Sequence, residues 1–423
     1  MSRIRAITNH TVLPGRRNSQ AWFAPSLAAV PGAGRDGGPE ILVGVAQLTG
    51  MDIGPTLWLR TGDLGETWTP PMQSMTLLAE PVPPDVMERR TERIRTLFGQ
   101  AATRPAGHEV FERPGVGVYY HKATNTVLGL GGTYFTADRG DQPYQKNEEH
   151  VSGFEGAIVS AVWDRHAGDF KPWRRIAPPA SGPDHRFSFV GCSQWCECDD
   201  GTILMPASHW NVDVTGKASC PGITVVRCRF DGDEVRAIEH GSIHRVDTER
   251  GLAEPSLTRF GGRFYLTIRH DLRGYVTRSD DGMHFEELRT WTFDDGSELG
   301  NYNTQQHWLT RDDALYLVYN RRSELNNGVV RSRAPLFITQ VDPQRLCVLR
   351  QAERIVLPEK GARMGNFNVI NVSDEESWVM TGEWLQQYIP GYGPDQPYWI
   401  DGGDQYNRMQ YIGDLLLARV YFS

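Results

Sequence analysis

The stretch NYNTQQHW at 301–308 concentrates hydrogen-bonding side chains. It holds five amide or imidazole groups within seven residues and leads directly into the apolar stretch WLTRDDALYLVY. Amides and imidazoles donate and accept hydrogen bonds, and an imidazole also transfers protons near neutral pH. We therefore predict that Asn303 and Gln306 bind substrate and that His307 acts as a catalytic acid or base. A segment that simply solvates a loop is the alternative interpretation.

A second candidate is Arg269, which follows the apolar segment RFYLTI. A guanidinium presents a planar fork of N–H donors that fits both oxygens of a carboxylate. Arg269 is thus predicted to clamp an acidic substrate, with a structural ion pair to a neighbouring element as the alternative. Glu254, just before Pro255, is either a catalytic carboxylate or the partner of that arginine.

Four further polar residues stand where strand-like segments begin or end, and each is a candidate substrate ligand. Gln194 and His209 bracket the stretch WCECDDGTILMPAS, while Arg363 and Asn366 belong to GARMGNFN. A lone histidine is more often structural than catalytic, so His209 is assigned to binding. Three tryptophans either stack on sugar rings or fill the core, with the core favoured: Trp195, Trp210 and Trp308.

These residues must be positioned by β-structure, because strand signals recur along the chain and helical periodicity is nearly absent. The exception is PPDVMERRTERIRTLFGQ (83–100), which predicts a short helical insertion. Elsewhere the chain contains six copies, at uneven spacing, of a unit of short strands joined by Asp-Gly or Gly-Gly turns. Repetition of this kind is typical of a β-propeller, in which radial closure leaves few exposed sheet edges.

The sequence therefore predicts an all-β fold: a six-bladed β-propeller of four-stranded antiparallel blades, forming a single domain over 1–423. The stretch RIRAITNHTVL is expected to add a strand to the last blade and close the ring. A β-sandwich or a pair of barrels is the alternative. In a propeller, the ligand site is expected at the mouth of the central channel.

Two turn sequences, RTGDLGETWTP (60–70) and RSDDGMHFEE (278–287), share a hydroxyl residue, an aspartate, a glycine and an aromatic residue. The hydroxyl and carboxylate can accept hydrogen bonds from nearby backbone N–H groups, and the glycine permits the positive φ of a tight reversal. The pattern Thr61-x-Asp63-x-Gly65-x-x-Trp68 resembles the Asp box of the sialidase superfamily. The segment AEPSLTRFGGRFYLTIRHDLRGYVTRSDDGMHF resembles a whole sialidase blade in order and spacing.

The resemblance implies roles for particular residues. Sialidases carry three arginines for the substrate carboxylate, an aspartate acid/base, and a tyrosine nucleophile supported by a glutamate. Glu254 matches the supporting glutamate, Arg269 the second arginine, and Asp52, in GMDIGPTLWLR, the acid/base. Either Arg321 or Arg331 matches the third arginine.

Two positions depart from that pattern. Phe23 stands where the first arginine is expected, and Asn366 and Phe367 stand where the tyrosine should open the last blade. Since the retaining mechanism of such enzymes needs a nucleophile, the sequence predicts a divergent member of the superfamily rather than an ordinary sialidase.

Composition narrows the range of partners. A net charge of −8 and a pI near 5.9 disfavour nucleic acid and anionic membrane surfaces. No Gly-rich motif indicates a nucleotide or flavin cofactor, no loop demands calcium, and CSQWCEC lacks zinc-ligand spacing, so no metal ligands are assigned. No signal peptide is visible, so we expect a cytoplasmic location, or a secreted or periplasmic one if a leader was removed.

Three functional hypotheses follow. The preferred one is a glycoside hydrolase that cleaves a terminal acidic sugar, with Arg269 on the sugar carboxylate and two of Asp52, Glu254 and His307 as acid and base. The second is a lyase that eliminates at a uronate, which needs an Arg or amide on the carboxylate and a His or Tyr to take the α-proton. The third is a propeller that binds glycans or proteins without catalysis.

Overall fold

The computed structural model describes residues 3–48, 54–89, 92, 110–137, 156–179, 185–189, 191, 193–211, 221–248, 251–326, 329–385 and 412–423. Over these ranges the strands form six sheets of at least four strands each, and each sheet is one blade. The strands of each blade pair in antiparallel fashion. The predicted all-β, six-bladed propeller is therefore confirmed.

The first three blades are preceded by strand β1 (Ile4–Leu13) and the one-turn helix α1 (Gly15–Asn18). Blade one has the order β2-β3-β4-β5, which are Ala21–Val30, Glu40–Leu48, Thr56–Thr61 and Met72–Gln73. Blade two contains β6 to β11, which are Glu80–Pro81, Val110–His121, Thr126–Ala137, Ile158–Asp164, Asp169–Phe170 and Arg174–Ile176. Blade three contains β12 to β16, which are His185–Ser188, Cys196–Glu197, Ile203–Asn211, Gly222–Phe230 and Val235–His240.

The last three blades follow the same plan. Blade four has the order β17-β18-β19-β20, which are Ala253–Phe260, Arg263–Arg269, Tyr275–Ser279 and Arg289–Thr290. Blade five contains β21 to β25, which are His307–Thr310, Leu315–Tyr319, Leu336–Asp342, Cys347–Val348 and Arg354–Leu357. Blade six contains β26 to β28, which are Ala362–Asn371, Glu376–Leu385 and Leu415–Phe422. Four 3₁₀ turns lie at Arg35–Gly37, Glu324–Asn326, Val330–Ser332 and Arg350–Ala352.

The ring is joined through blade six, whose sheet order is β1-β28-β27-β26. Strand β1 pairs with β28 in antiparallel register from Ile4↔Phe422 to Leu13↔Leu415. The outer strand of this blade thus comes from the N-terminal part of the sequence, while its other strands come from the C-terminal part. The backbone pairing between them fastens the last blade to the first.

The hydrophobic core lies between the blades. Among the described residues, buried apolar side chains form a cluster at each of the six interfaces between neighbouring blades, and the junction of blades six and one holds a second, smaller one. At the junction of blades six and one, for example, Trp378 packs in one cluster with Leu27 and Val43. Because a middle strand packs on both faces, β22 reads LYLVY and is buried along its whole length.

The two similar turns have the same hydrogen-bond pattern. In the first, the Thr61 hydroxyl donates to Asp63 Oδ1 at 2.8 Å and accepts from the Gly65 N–H at 2.9 Å. In the second, the Ser279 hydroxyl donates to the carboxylate of Asp281 at 2.8 Å and accepts from the next glycine N–H at 2.9 Å. The hydrogen bonds from the turn hold the pKa of the Asp63 carboxyl well below its usual range. Both aspartates therefore serve the turn.

The predicted helical insertion lies partly outside the described residues. Residues 84–89 are helical, and Met87 packs against Val110 and Phe135 of blade two, whereas 90–91 and 93–100 are outside the described ranges. No described helix has the length and apolarity needed to cross a membrane.

Candidate functional site

Three inner strands share one irregularity near their N-terminal ends. Strands β2, β17 and β26 each contain a β-bulge. Each bulge includes a non-glycine residue with left-handed backbone, namely Ala24 (φ 46°), Glu254 (φ 43°) and Asn366 (φ 50°). A bulge leaves one residue out of the ladder and re-aims its side chain, and strained backbone of this kind clusters at functional sites. The bulges thus mark one end of the central channel.

Glu254 and Arg269 form the centre of the candidate site. Ala253 lies opposite Arg269 in the register of β17 and β18, so the two side chains meet at the ends of adjacent strands. Arg269 Nη1 donates to Glu254 Oε1 at 2.7 Å, and Nη2 donates to Asn303 Oδ1 at 3.0 Å. The side chains are only 9% and 13% exposed, respectively. The pair is therefore a largely desolvated charge pair with an amide alongside.

Arg333 brings a second guanidinium to the same amide residue. Its Nη2 donates to the Asn303 carbonyl at 2.8 Å, and the residue is buried. A Cβ at position 365 would lie 2.8 Å from Arg333 Nη1, so Gly365 leaves the space that this guanidinium occupies. Asn303 thus joins two arginines, one through its side chain and one through its backbone.

The sequence predicts Arg321 or Arg331 as the third carboxylate-binding arginine and does not point to Arg333. The available signal was position: Arg333 comes just before the third strand of blade five, β23, in the run RSRAPLF. Arg321 forms a bidentate pair with Glu353 at 2.8 and 2.7 Å and lies 4.7 Å above the Phe337 ring. The third guanidinium nitrogen of Arg321, Nη1, donates to the Arg322 carbonyl at 2.9 Å. Because all three nitrogens are bonded to Glu353 and Arg322 rather than to Asn303, we leave Arg321 out of the proposed site. Arg331 lies in a 3₁₀ turn with φ 58°.

His307 is fully buried at the start of β21. Its Nδ1 lies 3.0 Å from the Ser256 hydroxyl. The His307 and Phe367 rings form a T-shaped contact, with their centroids 4.9 Å apart. Burial lowers the pKa of His307 to about 3, and the nearby Glu254 carboxylate offsets this only in part. The neutral imidazole therefore predominates at neutral pH, and it suits a positioning role better than proton transfer.

Gln306 and Gln194 are engaged within the protein. Gln306 Oε1 accepts from the Thr267 hydroxyl at 2.9 Å, and its Nε2 donates to a neighbouring carbonyl at 2.7 Å. The Gln194 amide bonds both backbone groups of Trp308, at 2.9 and 2.6 Å. The Gln194 side chain thus pairs with the backbone of Trp308 as a neighbouring strand would, and it links blade three to blade five. The Gln194 and Gln306 amides both stabilise the channel wall.

The remaining predicted residues are spread around the ring. His209 is buried, with Nδ1 2.6 Å from Arg245 Nη2. Arg363 is buried with its guanidinium 4.1 Å from the Trp384 ring. Asn366 is half-buried at its bulge. Asp52 lies outside the described residues. The structure therefore brings together Glu254, Arg269 and Asn303 most closely.

Several buried polar atoms around blades five and six have no hydrogen-bond partner among the described residues. They include Asn303 Nδ2, Thr304 Oγ1, Gln305 Oε1, His307 Nε2 and Asn368 Nδ2. An unsatisfied buried polar group costs about 1–3 kcal/mol, and such groups are expected where a ligand or ordered water binds. Within the described ranges, no cluster of three or more His, Cys, Asp or Glu side chains could hold a metal ion.

Known proteins were compared with the chain at the level of sequence and of structure. No family model and no curated protein sequence matches it. Among solved structures, the "Hadza microbial sialidase Hz136" is 11% identical over 89% of this chain and 66% of its own, with a TM-score of 0.57. The NanB sialidase from Streptococcus pneumoniae is 10% identical over 99% of this chain and 70% of its own, with a TM-score of 0.58. The chain has the sialidase fold.

A protein of unknown function from Dyadobacter fermentans is similar over its whole length. It is 12% identical over 99% of this chain and 100% of its own, with a TM-score of 0.56. The chain spans about two thirds of the two sialidase chains. At these identities the likeness concerns the propeller alone, and the sialidase resemblance predicted from sequence is confirmed at that level.

Proposed function

We propose that the protein is a glycoside hydrolase that acts on an acidic sugar of a glycan, at the end of the channel where Glu254 and Arg269 meet. The observation that supports this is the convergence of two buried guanidinium groups, from Arg269 and Arg333, on Asn303. A substrate carboxylate would replace the Asn303 oxygens as partner of these guanidinium groups, and guanidinium–carboxylate hydrogen bonds are strong and directional in a desolvated setting.

In this proposal the arginines fix the sugar by its carboxylate and Glu254 acts on the reacting centre. Cleavage of a glycosidic bond develops positive charge on the sugar ring. A preorganised carboxylate beside that ring stabilises the charge without reorganisation. His307 supports the wall through Ser256, and Asp52 remains the proposed acid from the sequence prediction.

The position of the sialidase tyrosine holds no nucleophile in this chain. Asn366 and Phe367 stand there, and neither side chain forms a glycosyl–enzyme bond. We therefore propose direct attack by water on the sugar: the Glu254 carboxylate takes a proton from the water as its oxygen bonds to the anomeric carbon, and Asp52 gives a proton to the glycosidic oxygen as that bond breaks. The anomeric configuration is inverted because only one displacement occurs.

The test is a screen of acidic glycans that separates the three hypotheses. Chromatography detects a released saturated sugar, and ultraviolet absorbance detects the unsaturated product of a lyase. Arg269→Lys and Arg333→Lys are expected to lose activity because lysine cannot make the bidentate contact. The matched control is Arg419→Lys, which alters a bidentate pair with Glu376, at 2.5 and 2.9 Å in blade six.

Release of a saturated sugar that both site variants abolish and the control retains supports the hydrolase. An unsaturated product would assign a lyase instead. Binding of acidic glycans without any product would indicate a non-catalytic propeller, and equal activity in all three variants would remove the arginines from the site.

A further inference from the structure

A cavity of about 630 Å³ opens at the opposite end of the central channel. It is lined by residues from the C-terminal ends of the inner strands of blades one, two and six, among them Ala29, Tyr120 and Asn371. Glu254 and Arg363, by contrast, lie near the N-terminal ends of theirs. Because inner strands run in one direction around a propeller channel, the cavity and the arginine site are at opposite mouths.

Aromatic and aliphatic side chains form part of the cavity lining. Tyr119, Tyr120 and Trp195 are the aromatic members, and all three are half-buried. The rings of Tyr119 and Trp195 lie 5.2 Å apart at an angle of 58°. Leu27 and Ile370 are among the aliphatic members. A volume in the range of about 300–1,000 Å³ with convergent aromatic surfaces is characteristic of small-molecule sites.

The acidic groups of the lining are already engaged within the protein. The two oxygens of Glu197 accept from the backbone N–H groups of Lys122 and Ala123, at 2.7 and 2.8 Å. Asp199 accepts from Arg259 Nη1 at 2.8 Å. Lys122 also lines the cavity, so the lining carries charges of both signs, and we expect an uncharged ligand rather than a strong cation or anion.

The amide and phenol groups of the lining are engaged as well. Asn371 Nδ2 donates to the Thr310 carbonyl at 2.9 Å, and its Oδ1 accepts from Ser377 at 2.8 Å. The Tyr119 hydroxyl donates to the Gly191 carbonyl at 3.0 Å. The Trp195 indole N–H, in contrast, has no hydrogen-bond partner among the described residues. The lining therefore offers a ligand ring surface together with this donor.

We propose that this cavity is a second ligand site, which binds a neutral sugar unit. A neutral pyranose matches the lining because its C–H faces stack on Tyr and Trp rings while its hydroxyls remain at the rim, where Lys122 is exposed. Aromatic side chains combine apolar surface with a polar edge in just this way. The proposal does not depend on the chemistry at the arginine site, which takes a charged sugar.

The test is binding of neutral disaccharides, namely cellobiose, maltose and lactose, to the full chain by ligand-observed NMR and calorimetry. Trp195→Ala is expected to weaken binding roughly tenfold, the loss expected when a favourable ring contact of about 1.4 kcal/mol is removed. Ala29→Trp fills the cavity and should block binding without deleting a packed side chain. Arg269→Lys, at the other mouth, serves as the control and should bind as the wild type does.

Melting temperatures verify that each variant is folded, and Ala29→Trp decides the matter if Trp195→Ala unfolds. Loss of binding in the cavity variants alone supports the proposal. Loss in Arg269→Lys alone would place the sugar at the arginine site and overturn it. No binding of any disaccharide would overturn it too, as would uptake of an apolar probe such as toluene in place of sugar.

Discussion

Replacement of Glu254 by glutamine separates a catalytic carboxylate from a purely structural partner of Arg269. Glutamine keeps an oxygen that can accept from Arg269 Nη1, now 2.7 Å from Glu254 Oε1, but it removes the negative charge. Deleting one partner of a buried pair costs about 3–5 kcal/mol. Because the hydrogen bond survives and the pair is not fully buried, we expect Glu254→Gln to lower the free energy of unfolding by about 2 kcal/mol.

Glu353→Gln is the matched control, because it changes the same kind of pair elsewhere in the protein. Glu353 binds Arg321 at 2.7 Å, and the two side chains are 14% and 18% exposed, close to the values for Glu254 and its arginine. Because Glu353 makes two bonds to Arg321 and also accepts from the Tyr319 hydroxyl, urea unfolding should show a loss of stability in Glu353→Gln at least as large as in Glu254→Gln. Their activities should differ, with Glu254→Gln reduced at least about 100-fold if its charge stabilises the transition state and Glu353→Gln within about twofold of wild type.

The assay is kcat/KM on the acidic glycan identified by the screen, measured well below the melting temperature of each variant. Loss of stability with full activity in Glu254→Gln would refute the catalytic role. Glu254 would then be the structural partner of Arg269, which is the alternative that the sequence also allows.

Three further predictions address the pH response, the fit of Arg333 and the stereochemistry. The pKa of His307 is lowered to about 3 in the folded protein, so between about pH 6.5 and 3 the unfolded chain binds more protons than the folded one. The free energy of unfolding should therefore fall by up to ~1.4 kcal/mol per pH unit as the pH drops through this window. Urea titrations should show this slope flattened in His307→Leu; an unchanged slope would contradict it. Gly365→Ala puts a Cβ 2.8 Å from Arg333 Nη1 and should raise KM several-fold with an unchanged melting temperature. Its control is Gly62→Ala, whose Cβ would have its nearest atom at 3.6 Å, and which should leave both KM and the melting temperature unchanged. NMR of the first product formed should show inversion at the anomeric carbon, and retention would require a nucleophile outside the residues assigned so far.

Much of the fold could be predicted from sequence because each blade carries its own local signals. Turns such as RTGDLGETW hold themselves in place through Thr61 and Asp63, so a short segment suffices to identify them. Apolar runs such as LYLVY are buried on both faces and indicate middle strands. The six blades follow from counting such units.

The candidate site was harder to predict because it depends on contacts between distant blades. The sequence predicts Glu254, Arg269 and Asn303 as site residues, and the structure places them together. The sequence could not show that Gln306 and Gln194 bond inward to Thr267 and to the backbone of Trp308. An amide side chain that faces the channel and one that bonds to the surrounding protein look the same in the sequence.

The three bulges share a backbone conformation but not a kind of side chain. Ala24 has the same left-handed φ as Glu254 and Asn366, although its methyl side chain can neither bind nor catalyse. Left-handed backbone costs a non-glycine residue about 1–3 kcal/mol, so its presence in blade one is not explained by a functional side chain there. The bulge is therefore a feature of the inner strand, which holds side chains as different as those of Ala24, Glu254 and Asn366 in the same backbone conformation. Of these three left-handed residues, Glu254 is the one with a charged side chain, so it is the bulge position at which we expect chemistry.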